Sequence, residues 1–147
     1  MSAAARLELR PSPALAALIV VAHGAAAGAA YLVVPGLMAA ALAALLVALG
    51  VAAAWSRALL RAPGSVRAIQ LGGAQPVFEL ADGDSFPAEV AKRRYVTRYV
   101  VALPVGKPLR RTLLVTADML GAQEFRRLRI WALWNRLPGV AAKQLQT

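Results

Sequence analysis

Hydrophobic and polar positions divide this chain sharply. From Pro11 to Ser56 there is no Asp, Glu, Lys or Arg; Arg10 closes the stretch on one side and Arg57 on the other. Within it the residues are almost all Ala, Leu, Val and Gly, interrupted at Pro35-Gly36. Ala14 to Val34 is 21 residues and Leu37 to Trp55 is 19. A helix rising about 1.5 Å per residue needs roughly 20 apolar residues to cross a bilayer core of about 30 Å. The pattern therefore predicts a transmembrane hairpin over 14–56, with spans at 14–34 and 37–55 and the Pro-Gly step turning the chain between them. A cleaved signal peptide fits less well, because its apolar region is shorter and a second run does not follow at once. A buried soluble hairpin would keep a polar face, and these helices have none.

After Ser56 the period changes. Ala62-Pro63-Gly64 is expected to stop the helix and open a domain over 64–147. Ser65 to Leu71 reads as a strand ending at Gly72-Gly73, and Pro76 to Leu80 as its partner before the turn Asp82-Gly83-Asp84. Ser85 to Val90 is a weaker strand, its Pro87 favouring an edge. Lys92-Arg93-Arg94 is a basic connector. Tyr95 to Val105 reads as one long Val- and Tyr-rich strand, turned by Gly106-Lys107-Pro108 and returned by Arg110 to Thr116. About five closely spaced strands predict an antiparallel meander. A helix follows, with Asp118 suited to cap its start and Leu137-Pro138-Gly139 to end it. The fold class is thus an α+β membrane protein: hairpin, small sheet, C-terminal helix. Residues 1–13 form an N-terminal tail, in which Leu7-Glu8-Leu9-Arg10 alternates as a strand would; a disordered lead-in reads equally well.

Placed at 100° steps, Phe125, Leu128, Trp131 and Ala132 share one side of the last helix and suit the sheet. Ile130, Leu133, Trp134 and Leu137 fall on another, surrounded by Arg126, Arg127, Arg129 and Arg136. Trp and Arg are enriched at protein interfaces and at membrane surfaces. Partner contact is therefore expected at Arg126, Arg127, Arg129, Trp131 and Trp134, set against the alternative that both tryptophans are core.

Charge fixes an expected orientation. The net charge is +10. Arg6 and Arg10 precede the first span, Arg57 and Arg61 follow the second, and the connecting turn is uncharged. Positive residues stay on the cytoplasmic side. Both termini are then cytoplasmic and the protein a two-span component of the plasma membrane. His23, the one histidine, lies inside a span, where an ionisable group is costly and marks either a function or a carbonyl-bonded ring. Neither span holds an acidic partner for it, which argues against a pump. Gly24 and Gly28 form a small-xxx-small pair suited to helix packing.

The chemistry of catalysis is thin. The chain has no Cys, no His outside the span and no phosphate loop, and no metal-ligand spacing is found. Glu79, Asp82, Asp84 and Glu89 surround one hairpin, which turn chemistry explains. No enzyme activity, cofactor, metal or small-molecule substrate is expected. Tyr95 and Tyr99 would share a strand face, yet no nucleic-acid signature accompanies them; the charge suits membrane lipids better, at about 1 kcal/mol per basic residue near an anionic leaflet.

With these elements placed, the chain resembles the YgfX family, also called CptA, of bacterial inner-membrane proteins. The resemblance rests on the basic N-terminus, His23-Gly24, Pro35 near the turn and arginines directly after the second span. It rests most on Leu114-Val115-Thr116-Ala117-Asp118-Met119 followed by Glu124-Phe125-Arg126-Arg127-Leu128-Arg129. Leu120-Gly121 departs from the family pattern at the helix start. The resemblance implies the membrane-anchored toxin of a toxin–antitoxin pair, with the small helical protein SdhE as partner and a cytoplasmic domain that binds FtsZ and MreB and hinders their polymerisation. Two other readings stand beside it. One is an accessory role in succinate dehydrogenase maturation; the other is a lipid-facing module with a sheet-plus-helix fold like that of bacterial pleckstrin-homology domains.

Overall fold

The computed structural model describes residues 5–134. The chain forms two compact units. One is Pro11–Ser65; the other begins again at Val66 and takes in the segment up to Arg10.

The first unit is a helical hairpin. Helix α1 spans Pro13–Val33 and α2 spans Leu37–Ala53, the latter running on through a π-helical turn, Ala54–Ala58. Helical stretches of 21 and 22 residues are long and apolar enough to cross a membrane. Ser12 caps α1, its hydroxyl accepting from the Leu15 amide at 3.0 Å, and Pro13 occupies the first helical position. Gly36 turns the chain into α2 at φ 71°, which a side chain would resist. The second helix stops before Ala62-Pro63-Gly64. The Leu59 amide reaches back to the Ala54 carbonyl and the Arg61 amide to the Trp55 carbonyl, so a widened turn satisfies the terminal acceptors. Leu60 closes it in the left-handed region at φ 54°, with its side chain buried. The hairpin base is tied where the Ser12 amide donates to the Ala58 carbonyl at 2.9 Å.

A narrow seam holds the helices together. Along α1 the covered positions are Leu15, Ala16, Ile19, His23, Ala27 and Ala30; along α2 they are Ala39, Ala43, Leu46, Gly50 and Ala53, followed by Ala54 in the π-helical turn. Steps of three and four residues make each set one stripe. Everything else is outward and apolar, including Leu18, Val21, Leu32, Leu37, Met38 and Leu45. So large an apolar exterior is stable against lipid and not against water.

Among the described residues, the second unit holds seven strands in two antiparallel sheets and one α-helix. Strands β1 (Ala5–Glu8), β2 (Val66–Leu71), β3 (Val77–Leu80) and β4 (Ser85–Pro87) form one sheet in chain order. Strands β5 (Tyr95–Val96), β6 (Val100–Val105) and β7 (Arg111–Thr116) form another. The alternating N-terminal segment is therefore a strand, pairing Leu7 with Ile69 and Arg6 with Gln70. Asp82-Gly83-Asp84 makes the expected turn: the Asp84 amide donates to Asp82 Oδ1 at 3.1 Å, and Gly83 sits at φ 97°.

The long strand read over Tyr95–Val105 is two strands. Thr97 breaks it, its hydroxyl donating to the Val100 carbonyl at 2.9 Å while accepting from the Val100 and Tyr99 amides. A local side-chain turn outcompetes the ladder here. Tyr99 consequently lies in the turn between β5 and β6 and shares no single strand face with Tyr95. The basic connector is also more than a link. Between Val90, opposite Val105, and Tyr95, opposite Ala102, the chain advances five residues while β6 advances three, so Lys92-Arg93-Arg94 bulges.

Val101, Leu103 and Val105 alternate into the core from β6, as do Leu113 and Val115 from β7, with Ile69, Leu71 and Phe78 from the other sheet. Helix α3, Ala122–Trp134, packs on β5 and β6. Asp118 does not cap it, lying instead in a separate 3-10 turn, Ala117–Met119. Gly121 and Glu124 begin α3: the Glu124 carboxylate accepts from the Gly121 amide at 3.1 Å. The predicted stop at Leu137-Pro138-Gly139, together with Leu137 and Arg136, lies outside the described residues.

Candidate functional site

The helix that ends the described chain carries two different faces. Phe125, Leu128, Trp131 and Ala132 are buried, as their spacing predicts. Burying each large member contributes about 1.5–3 kcal/mol, which fixes α3 against the sheet. On the outer side Gln123, Arg126 and Arg127 are exposed, Ile130 is half-buried, and Leu133 and Trp134 are 58% and 72% exposed. Gln123, Arg126, Arg127 and Ile130 line a shallow hollow of about 290 Å³. An apolar ridge with cations on both flanks thus runs along the open face. No ion pair engages Arg126 or Arg127 among the described residues.

Trp131 is not part of that open face. It is 8% exposed and covered by Arg94, whose guanidinium lies 4.7 Å from the ring centroid. Arg94 also donates to the carbonyls of Ala91 (3.1 Å), Ala132 (3.2 Å), Trp131 (3.4 Å) and Val90 (3.4 Å). One side chain thereby ties the basic bulge to the last described turn of α3. Burial holds its pKa below the ordinary arginine value. Arg129 is half-buried, and its Nε meets no hydrogen-bond partner.

The membrane-flanking arginines have separate surroundings. Arg6 sits in β1 and pairs with Glu79 at 2.8 Å; Glu79 also accepts from Gln70. Arg10 is exposed, and its amide donates to the Met119 carbonyl. Arg57 is exposed. The chain reversal at Leu60 brings Arg61 back over Trp55, 5.1 Å from the ring centroid. Such an aromatic–cation pair at the end of an apolar helix suits a headgroup layer.

Inside the hairpin, His23 Nδ1 is 2.8 Å from the Ile19 carbonyl, which can only accept, so Nδ1 carries the proton. The expectation that Gly24 and Gly28 bring the helices together is corrected. A Cβ at either position would meet nothing within 4 Å, and both face outward. The close approach is at Gly50, where an added Cβ would lie 2.6 Å from His23 Cβ. Periodicity offered a signal for Gly50, a lone glycine on the covered stripe of α2. Nothing local in the sequence distinguished Arg94 from its two basic neighbours.

The four carboxylates around the β3–β4 hairpin do not converge; among the described residues no three His, Cys, Asp or Glu side chains are grouped to hold a metal ion. Glu79 is occupied by Arg6 and Gln70, and Asp82 by its own turn.

These features define a two-span membrane protein that carries a small basic sheet-and-helix unit. Residues 3–136 match the family described as the membrane-bound toxin component of a toxin–antitoxin system, and the chain belongs to that family, YgfX/CptA. Membership implies an antitoxin as partner. No curated protein sequence and no solved structure matches the chain.

Proposed function

We propose that this toxin component acts by contact and not by catalysis, from the cytoplasmic face of the bacterial inner membrane. In this reading the outer face of α3 receives a small acidic antitoxin of the SdhE type. The anchored unit, when free, binds FtsZ and MreB and hinders their polymerisation. Both chain termini are cytoplasmic, with Arg57, Arg61 and Trp55 at the inner headgroups.

The observation that carries the proposal is the division of α3. Its packing obligations are met by one face, yet the opposite face keeps Leu133 and Trp134 in the open along with Arg126 and Arg127, which no ion pair engages among the described residues. An exposed Trp beside Arg is the usual make-up of an interface hot spot, where truncation costs about 2 kcal/mol or more. Cations without carboxylate partners favour an acidic surface.

The test is capture of a purified SdhE-type protein by the full chain in detergent. Arg127→Glu combined with Trp134→Ala should lower capture at least tenfold while the chain stays in the membrane fraction. Undiminished capture by that variant would remove α3 as the binding surface.

A further inference from the structure

Beside the last described turn of α3 is a groove of about 630 Å³, separate from the outer face. Its lining includes Gly72, Gly73 and Ala74 of the β2–β3 hairpin, together with Lys92, Arg94 and Trp131. We infer that this groove is a second docking site, which seats a short extended acidic segment of a partner protein. The inference rests on the proposed reading that the unit works by contact with other proteins.

Three observations carry it. First, the volume falls in the range of built ligand sites, roughly 300–1,000 Å³. Second, Gly72, Gly73 and Ala74 bring almost no side chain to the lining, so a peptide backbone can come close to that stretch. Third, the groove's cations are not ion-paired. Among the described residues Lys92 is exposed and makes no ion pair, and the partners of Arg94 are neutral carbonyls and the Trp131 ring. A guanidinium has five N–H donors. The four bonds to Ala91, Ala132, Trp131 and Val90 leave one Nη2 hydrogen for an incoming carboxylate. The acidic group on the rim, Glu89, is exposed and makes no ion pair with Arg94.

Charge also decides which chain fits. Residues 135–147 of this protein contain Arg136 and Lys143 and no Asp or Glu side chain. They share the groove's sign, so an acidic segment from another protein is the better complement.

The probe is a fluorescein-labelled pentapeptide, Glu-Asp-Leu-Asp-Glu, titrated against the full chain in detergent at low salt and followed by anisotropy. Binding should weaken at least tenfold with Lys92→Glu, and equally with Ala74→Trp, which fills the groove from an exposed loop. Arg126→Glu and Arg127→Glu should each change it less than threefold. If both groove variants bind as the parent does, or if the α3 variants alone abolish binding, the inference fails. A photoreactive benzoylphenylalanine in place of Ala74 should cross-link the peptide. An internal cross-link to residues 135–147 that the peptide does not displace would overturn the inference in favour of a self-filled groove. Loss of antitoxin capture through α3 is a separate readout, so failure here and failure of the proposed function are distinguishable.

Discussion

Replacing Gly50 by alanine should force the two spans apart, and the geometry says by how much. An ideal Cβ at position 50 falls 2.6 Å from His23 Cβ and 2.8 Å from His23 Cγ. Carbon atoms in contact rest about 3.5–4.0 Å apart, so the deficit is about 1 Å. His23 Cβ is fixed by its backbone, so a change of rotamer can move Cγ but not relieve the 2.6 Å contact, and a helix backbone must move. Overpacking of this kind costs about 1–3 kcal/mol. Alanine's better helix propensity returns about 1 kcal/mol in water, and that gain is the same whatever occupies position 23. A double-mutant cycle cancels it. His23→Ala removes Cγ but keeps Cβ, so it should relieve only part of the strain; His23→Gly should relieve all of it. The assay is unfolding of the full chain by SDS titration in mixed micelles. Gly50→Ala should be destabilising with His23 present, milder with His23→Ala and neutral or stabilising with His23→Gly, with a coupling of about 1–3 kcal/mol across the cycle. An equal effect in all three backgrounds would show that Gly50 does not face His23.

Other outcomes follow from single contacts. Thr97→Val keeps the shape but removes the hydroxyl that three hydrogen bonds use; it should destabilise the sheet unit by about 1–3 kcal/mol and speed amide exchange at Val100. Arg94→Met should loosen the last turn of α3 and red-shift Trp131 emission in a chain lacking the other two tryptophans, with Arg94→Lys recovering part of the ring contact but not the fan of carbonyl bonds. Arg110 is exposed at φ 46°, so Arg110→Gly should stabilise the fold by about 0.5–1 kcal/mol once glycine's entropy cost is subtracted, read as a raised thermal midpoint.

What the sequence determined by itself was whatever depends on periodicity and composition. Two uncharged runs broken at Pro35-Gly36 dictate two spans, because length and apolarity alone decide whether a helix matches a bilayer. The 100° spacing of Phe125, Leu128, Trp131 and Ala132 identified the buried face of α3, and the separate patch of Ile130, Leu133 and Trp134 emerged as its outer face. Family membership was legible in the same way, from short motifs in order. Contacts between distant residues were not. Gly24 and Gly28 look like a packing motif, but which stripe of an alanine-rich helix meets its neighbour depends on the partner, and His23 against Gly50 set it. Tyr95–Val105 has strand propensity throughout, yet the Thr97 hydroxyl bonds back to Val100 and breaks it. Arg94 reads as one of three like charges until the fold carries α3 beneath it, and only then do a ring and four carbonyls give that guanidinium a place.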